Sequence, residues 1–423
     1  MLGQVRDNIA VLMVMALAGG LLQGQTSATC PEGPPSSFLS RHGTQLSLEG
    51  EPFTQVGFNK PDLLAYFRSG RNSDVLQVRQ LLGELRRRGF RVLRVELFPP
   101  GPGELEEQFL SDPARHQAYL DGIDGMLQEC EDHGMLLVCS LMSLDAWADL
   151  GHHSLSEAVQ NPQSPGRQKG EQFIRELVTR YQRRSIIAAW EIGPQYNLAV
   201  DLQALPGPLE AREAGANWQH LHPAPIVRDS RNNITSDQLA QFVAQLAGLI
   251  RSIDPNHLIS AGHAAPRREA MHLLEACRHG QAPQWHDDTL AQQTRYLELI
   301  HPDPVDWVSI SHFEMTPTRL ALLKSAADEL GKPLLISRIG LPEPWIKPAR
   351  YDEPAAVELV RCQGPVLREL KIPLTLYWRL ADYSGESQGP DVAEHSLKLG
   401  ATEKALDLLR QCNQGSPPLG AQP

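Results

Sequence analysis

Eight short apolar runs recur along the 423-residue chain, and stretches with helical periodicity separate them. The runs are FTQVGF (53–58), FRVLRVELF (90–98), MLLVCSL (135–141), IIAAWEI (186–192), HLISAG (257–262), VDWVSISHF (305–313), PLLIS (333–337) and PLTLYW (373–378). Each is mostly Val, Ile, Leu or aromatic, as a strand buried on both faces must be. Between the first two runs, segment 74–88 places Val75, Leu76, Val78, Leu81, Leu82 and Leu85 at helical spacing. Segments 116–133, 171–182, 236–253, 317–330, 355–370 and 403–412 behave alike, and after the fifth run both 267–278 and 290–300 qualify. Strands that alternate with helices form a parallel sheet, and eight such units close most simply as a single-domain α/β fold, the (β/α)8 TIM barrel. The competing layout is an open doubly wound sheet, which no GxGxxG phosphate loop supports.

Composition fits this reading. The chain is 41% hydrophobic and 21% charged, which suits a full globular core. A formal net charge of −11 advertises no basic face for nucleic acid, and it is compatible with a neutral polysaccharide without selecting one. The barrel is expected over 38–412. Upstream, residues 1–28 have the order of a secretory signal peptide: a short polar start with Arg6, an apolar stretch over 9–22 broken by Gly19 and Gly20, then Thr26, Ser27 and Ala28. The apolar stretch is short for a membrane span, which favours cleavage after Ala28 and a secreted or periplasmic protein over an anchored one. Ser27-Ala28-Thr29 is a poor lipobox for Cys30. Residues 29–37 read as a linker and 413–423, rich in Gly and Pro, as a disordered tail.

The six cysteines, Cys30, Cys130, Cys139, Cys277, Cys362 and Cys412, are widely spaced with no CxxC. An exported protein could pair them, but Cys130 and Cys139 lie in apolar surroundings that suit buried thiols. Neither these nor His152-His153 or His286-Asp287-Asp288 make a zinc pattern, so no metal or other cofactor is implied. Asn233-Ile234-Thr235 is a glycosylation sequon.

Function on such a barrel belongs to the C-terminal ends of the strands, where long loops make a cleft. Insertions follow the third run (142–167) and the fourth (193–235). The fourth run ends Ala189-Trp190-Glu191-Ile192-Gly193-Pro194-Gln195, and the seventh lies within Lys332-Pro333-Leu334-Leu335-Ile336-Ser337-Arg338-Ile339-Gly340. Gly89-Phe90-Arg91-Val92-Leu93-Arg94 carries the second run, and Ser252-Ile253-Asp254-Pro255-Asn256-His257-Leu258-Ile259 leads into the fifth.

Taken in their order along the chain, over about residues 38–412, these segments and the opening stretch 45–59 resemble the family 5 glycoside hydrolases, the endo-β-mannanases and cellulases. The resemblance implies a W-E-x-x-N-E ending to strand four, in which the Asn binds the sugar 2-hydroxyl and the last Glu is the acid/base. Here those positions are Pro194 and Gln195. It implies a nucleophilic Glu on strand seven, where this chain has Arg338. Arg94 matches the arginine that supports the nucleophile, His312 a cleft histidine on strand six, and Trp378 the sugar-stacking tryptophan of strand eight. The aromatic expected after His312 is Glu314, unless the register slips onto Phe313. Trp190 and Glu191 belong to the strand-four signature and count among the substrate-contact candidates.

The chemistry of the two substituted positions is restrictive. A retaining glycosidase needs two carboxyl groups about 5 Å apart, one to protonate the leaving oxygen and one to attack the sugar. Gln195 carries an amide with no proton to give near neutral pH, and Arg338 stays protonated and cannot attack. A guanidinium also opposes the positive charge that develops on the sugar. Pro194 removes both a side chain and a backbone donor.

Two readings remain open. In one, the barrel is a catalytically impaired pseudoenzyme whose cleft binds polysaccharide or oligosaccharide, mannan or glucan, or a protein. In the other, Glu191 or Glu314 acts as a displaced carboxylate in a working glycosidase. Arg94 and Arg338 need counter-ions if they lie close together, and Glu96, Glu191 and Glu314 are the candidates. Trp147, Trp190 and Trp345 suit either barrel-end packing or a sugar face. No nucleophile elbow surrounds Ser154 or Ser337, so serine hydrolysis has no support. Export predicts that N-terminal sequencing of the mature protein begins near Thr29; an exported chain that still starts at Met1 would refute it.

Overall fold

The computed structural model describes residues 38–99, 103–150, 154–201, 233–282, 285–311, 316–340, 353–378, 380–381, 397–398 and 402–413. Every one of the eight apolar runs contains a strand: β1 Gln55–Asn59, β2 Val92–Glu96, β3 Leu136–Ser140, β4 Ile187–Glu191, β5 Leu258–Ser260, β6 Val308–Ser311, β7 Leu334–Ile339 and β8 Leu374–Tyr377. They form one parallel sheet in the order β5-β4-β3-β2-β1-β8-β7-β6, so the last strand returns to pair with the first. This is the (β/α)8 TIM barrel. No strand ladder joins β5 to β6; Asp306 stitches that seam. Its backbone N donates to Ile259 O at 2.9 Å, and its carboxylate accepts from Ile259 N at 2.7 Å and Arg251 Nη2 at 2.6 Å.

The period-two alternation of each strand sorts its side chains into two layers. Along β2, Leu93 and Val95 join the large core between sheet and helices, whereas Val92 joins an inner cluster with Val138, Ala189, Leu258, Leu374 and Leu376. A three-stranded antiparallel unit, Ser40–His42, Gln45–Leu48 and Glu51–Pro52, precedes the barrel. Leu39, Leu46 and Phe53 belong to the inner cluster, so this unit plugs the N-terminal mouth. Arg41 Nη1 ties it to the seam by donating to Asp306 O at 2.6 Å. Above this apolar filling, the charged groups Arg94, Glu96 and Glu191 occupy inward positions near the C-terminal strand ends.

Helix starts follow local capping signals. Asp112, Ser164 and Thr316 each accept backbone N–H bonds ahead of a proline in the first turn of Pro113–Asp132, Pro165–Tyr181 and Pro317–Glu329. Ser164-Pro165 is why the third helix begins well before the expected 171. The insertion expected over 142–167 is not simply a loop; it carries helices Leu144–Leu150 and Leu155–Gln160. Both candidates after β5 are helical, as Ala270–His279 and Leu290–Ile300. Asn413, expected in the tail, instead ends helix Glu403–Asn413. Its amide accepts from Val56 N at 2.6 Å and donates to Val56 O at 3.1 Å, fastening that helix to β1.

The expected signal peptide, linker and the rest of the tail lie outside the described residues, as do His152 and His153. Cys130, Cys139, Cys277, Cys362 and Cys412 are free thiols, the first two fully buried, and burial pushes the Cys130 thiol up to about 12. Among the described residues no helix is long and apolar enough to cross a membrane.

Strand spacing at β1 depends on a missing side chain. A Cβ on Gly57 would lie 2.2 Å from Val92 O, inside the contact between β1 and β2. Gly57→Ala should therefore force the strands apart and destabilise the barrel by about 1–3 kcal/mol, as overpacking does. Thermal unfolding of the variant checks this, and an unchanged Tm would contradict it.

Candidate active site

The C-terminal mouth is organised by one buried ion pair. Arg94 comes from the inward face of β2 and Glu191 from the last position of β4, and each is 1% exposed. Arg94 Nη2 donates to Glu191 Oε1 at 2.6 Å, and Nε lies 3.0 Å from Oε1 and 3.2 Å from Oε2. The third guanidinium nitrogen, Nη1, reaches Glu96 Oε1 at 3.2 Å and Asn59 Oδ1 at 3.4 Å. Glu96 Oε1 is also 3.4 Å from Arg338 Nη2. Two guanidiniums and two carboxylates thus form a formally neutral tetrad, which supplies the counter-ions that adjacent arginines require.

Arg338 reaches this tetrad because β7 is bulged. Ile336 pairs with Ile310, but the next ladder partner of Ser311 is Arg338, leaving Ser337 as an extra residue. Ser337 Oγ donates to Ile310 O at 3.1 Å and Ser337 O accepts from Asn59 Nδ2 at 2.9 Å, so both ends of the bulge are bonded. The Arg338 guanidinium then lies 4.4 Å from the centroid of the Trp378 ring, and its Nη1 is 3.4 Å from Gln195 Oε1.

Gln195 itself is held in an uncommon conformation, with φ of 58° in the left-handed region. Its backbone N donates to Gly262 O at 2.8 Å, and its side-chain Nε2 donates to Ser311 Oγ at 2.5 Å. Gly262 permits that approach: a Cβ there would sit 2.0 Å from Gly193 O and 2.7 Å from Glu191 Cγ. Three strand ends, β4, β5 and β6, are thereby drawn together over Glu191.

The charges reinforce the geometry. Burial alone would raise the Glu191 carboxyl, but the Arg94 charge and hydrogen bonds outweigh it and hold the group below its ordinary range. Burial likewise works to lower Arg94, and the Glu191 and Glu96 carboxylates outweigh it and raise it. Glu191 is therefore an ionised, fully committed counter-ion at neutral pH, poorly suited to giving up a proton.

Of the residues singled out in the sequence, Arg94, Glu191, Gln195, Arg338 and Trp378 come together at one mouth. Two of the residues singled out as substrate-contact candidates lie deep in the protein. Trp190 is fully buried on the outward face of β4 and donates to Asp254 Oδ2 at 2.8 Å, so period-two alternation points it away from the cleft. Glu191 is 1% exposed, packed beside Gly262 and bonded to Arg94. Pro194 is buried in the turn before Gln195. Trp147 is a core residue whose Nε1 donates to Tyr196 Oη at 3.0 Å. His312, Glu314 and Trp345 lie outside the described residues.

Among the described residues no group of three or more His, Cys, Asp or Glu could hold a metal ion. Asn59 and Ser311 were missed in the sequence. Each is the polar last residue of its strand, Asn59 directly after the first apolar run and Ser311 within the sixth.

No family model matches the chain. A protein of Oryza sativa subsp. japonica named as a mannan endo-1,4-beta-mannosidase is 22% identical over 345 residues, covering 79% of this chain and 77% of that one. Mannan endo-1,4-beta-mannosidase A of Hypocrea jecorina is 21% identical over 273 residues, which is 59% of this chain and 53% of the relative. Among solved structures, the endo-1,4-beta-mannanase of Rhizomucor miehei superposes with a TM-score of 0.62 at 15% identity, covering 89% of this chain and 99% of the other. The endo-1,4-beta-D-mannanase of Thermotoga petrophila superposes at 0.56 and 14%, covering 86% and 99%. With these mannanases the chain shares the (β/α)8 barrel fold.

The Arg94–Glu191 pair makes a testable contribution to stability. Glu191→Gln leaves a buried guanidinium short of its anion and should cost roughly 3–5 kcal/mol at neutral pH. Because the folded carboxyl is depressed, its contribution is fully present above the ordinary carboxyl value of 4.5 and is lost as pH falls through the lower folded value. The Tm gap between wild type and variant should therefore narrow on acidification, and a gap that widens would contradict the assignment.

Proposed function

We propose that this protein is a secreted, glycoside-hydrolase-like pseudoenzyme that binds β-linked polysaccharide, mannan or glucan, without ordinary hydrolysis. The observation that carries the reading is the 3.4 Å contact between Arg338 Nη1 and Gln195 Oε1 at the mouth of a mannanase-like barrel. By the resemblance these are the nucleophile and acid/base positions, and they hold a guanidinium and an amide. An amide donates no proton to a leaving oxygen, and a guanidinium neither attacks an anomeric carbon nor tolerates the positive charge that forms there. The carboxylates that remain at the described mouth support the same reading. Glu191 is sealed and paired with Arg94, and Glu96 is shared between Arg94 and Arg338. The mannan endo-mannosidase names of the sequence relatives support a β-linked polysaccharide as ligand.

Hydrolysis of mannan and glucan oligosaccharides by the purified protein tests this. Wild type should show no turnover above buffer. Gln195→Glu alone should restore little, because Arg338 still stands at the point of attack. Pro194→Asn, Gln195→Glu and Arg338→Glu together should give the largest recovery, since groups acting as one catalytic unit are not additive. Wild-type turnover that Glu191→Gln or Glu314→Gln abolishes would sink the pseudoenzyme reading and establish displaced catalysis.

A further inference from the structure

We infer that Arg338 is the residue that decides what the cleft accepts, because its guanidinium occupies the sugar-stacking place on Trp378. This deepens the proposed glycan-binding reading and rests on it. The argument begins with where Arg338 sits. Its side chain leaves β7, yet it touches groups from three other strand ends: Trp378 just beyond β8 at 4.4 Å, Glu96 of β2 at 3.4 Å, and Gln195 beyond β4 at 3.4 Å. Strands β2, β4 and β8 lie on different sides of the barrel. A group within reach of all three stands over the centre of the floor, not against one wall.

The stacking distance then decides between occupants. A planar guanidinium and the apolar face of a pyranose seek the same surface of an indole, at similar separation. The two cannot share one face. Arg338 is held there by more than the ring: the Ser337 bulge aims it inward, and the Glu96 carboxylate gives it an anion. Arg338 is 8% exposed and Trp378 half-buried, so a ligand cannot slide between them without moving the arginine. A sugar chain entering the cleft therefore meets a filled floor, and the wild-type protein engages it only on surfaces flanking that point. Among the described residues, Arg338 is the side chain that lies over the ring of Trp378.

Emptying the floor should consequently expose a stacking site. Isothermal titration of mannohexaose and cellohexaose into wild type, Arg338→Ala and Arg338→Ala/Trp378→Ala measures this. Circular dichroism and melting curves confirm that each variant is folded. The Arg338→Ala protein should bind at least one of the two about tenfold more tightly than wild type, the order expected for one aromatic–sugar stack. Adding Trp378→Ala should cancel the gain.

Loss of Arg338 leaves Glu96 with less positive charge around it. Arg338→Ala/Glu96→Gln removes both halves of that pair and should show the same gain if the single variant does not fold. A folded variant without the gain, or a gain that survives Trp378→Ala, overturns the inference. These outcomes are separable from the fate of the parent reading. Wild-type hydrolysis defeats the pseudoenzyme proposal, and a wild type that binds neither oligosaccharide while Arg338→Ala binds through Trp378 defeats only native glycan binding.

Discussion

The pairing of Arg94 with Glu191 is the interaction on which the mouth of the barrel depends. Both groups are almost wholly removed from water, and an isolated charge at that depth would cost several kcal/mol. Their fork of short contacts offsets the loss of hydration and leaves Arg94 Nη1 to reach Asn59 and Glu96. Glu96 in turn provides the anion for Arg338. Asn59 donates to the Ser337 carbonyl and so supports the bulge that aims Arg338 inward. From one ion pair, contacts extend through β1, β2, β4 and β7.

That arrangement explains how a cation can stand where the resemblance implies a nucleophilic carboxylate. Replacing a carboxylate by a guanidinium beside Arg94 would place two cations together in a poorly solvated floor. The tetrad avoids this, since Glu96 is within reach of both arginines and Glu191 neutralises the deeper one. The same balance implies that a carboxylate introduced at position 338 would face Glu96 in place of a cation, and the surrounding charges would have to rearrange.

Much of this architecture was legible because each element is locally consistent. The eight runs are mostly apolar, as strands covered on both faces must be, and each one contains a barrel strand. Capping pairs such as Ser164-Pro165 mark helix starts to the residue once they are read as signals. The less legible features depend on partners distant in the chain. Asn413 resembles the start of a loose tail until Val56 is seen to accept and donate against its amide. Trp190 resembles a cleft aromatic until the side of β4 on which it lies is known, and Asp254 is its partner on the outward face.

The sequence by itself determined the repeating strand–helix alternation, the barrel it closes into, and the chemical nature of the groups at the strand ends. Those properties are local: apolar runs, helical spacing and residue identity do not require knowledge of which strands become neighbours. Only the tertiary structure decided the commitments of those groups. Whether Glu191 is a proton donor or a counter-ion depends on Arg94, 97 positions away along the chain. Whether Arg338 lines a wall or fills the floor depends on a one-residue bulge and on contacts from three other strand ends. Burial and charge pairing are properties of the assembled mouth, and side chains of the same type would have other protonation and other exposure anywhere else on the barrel.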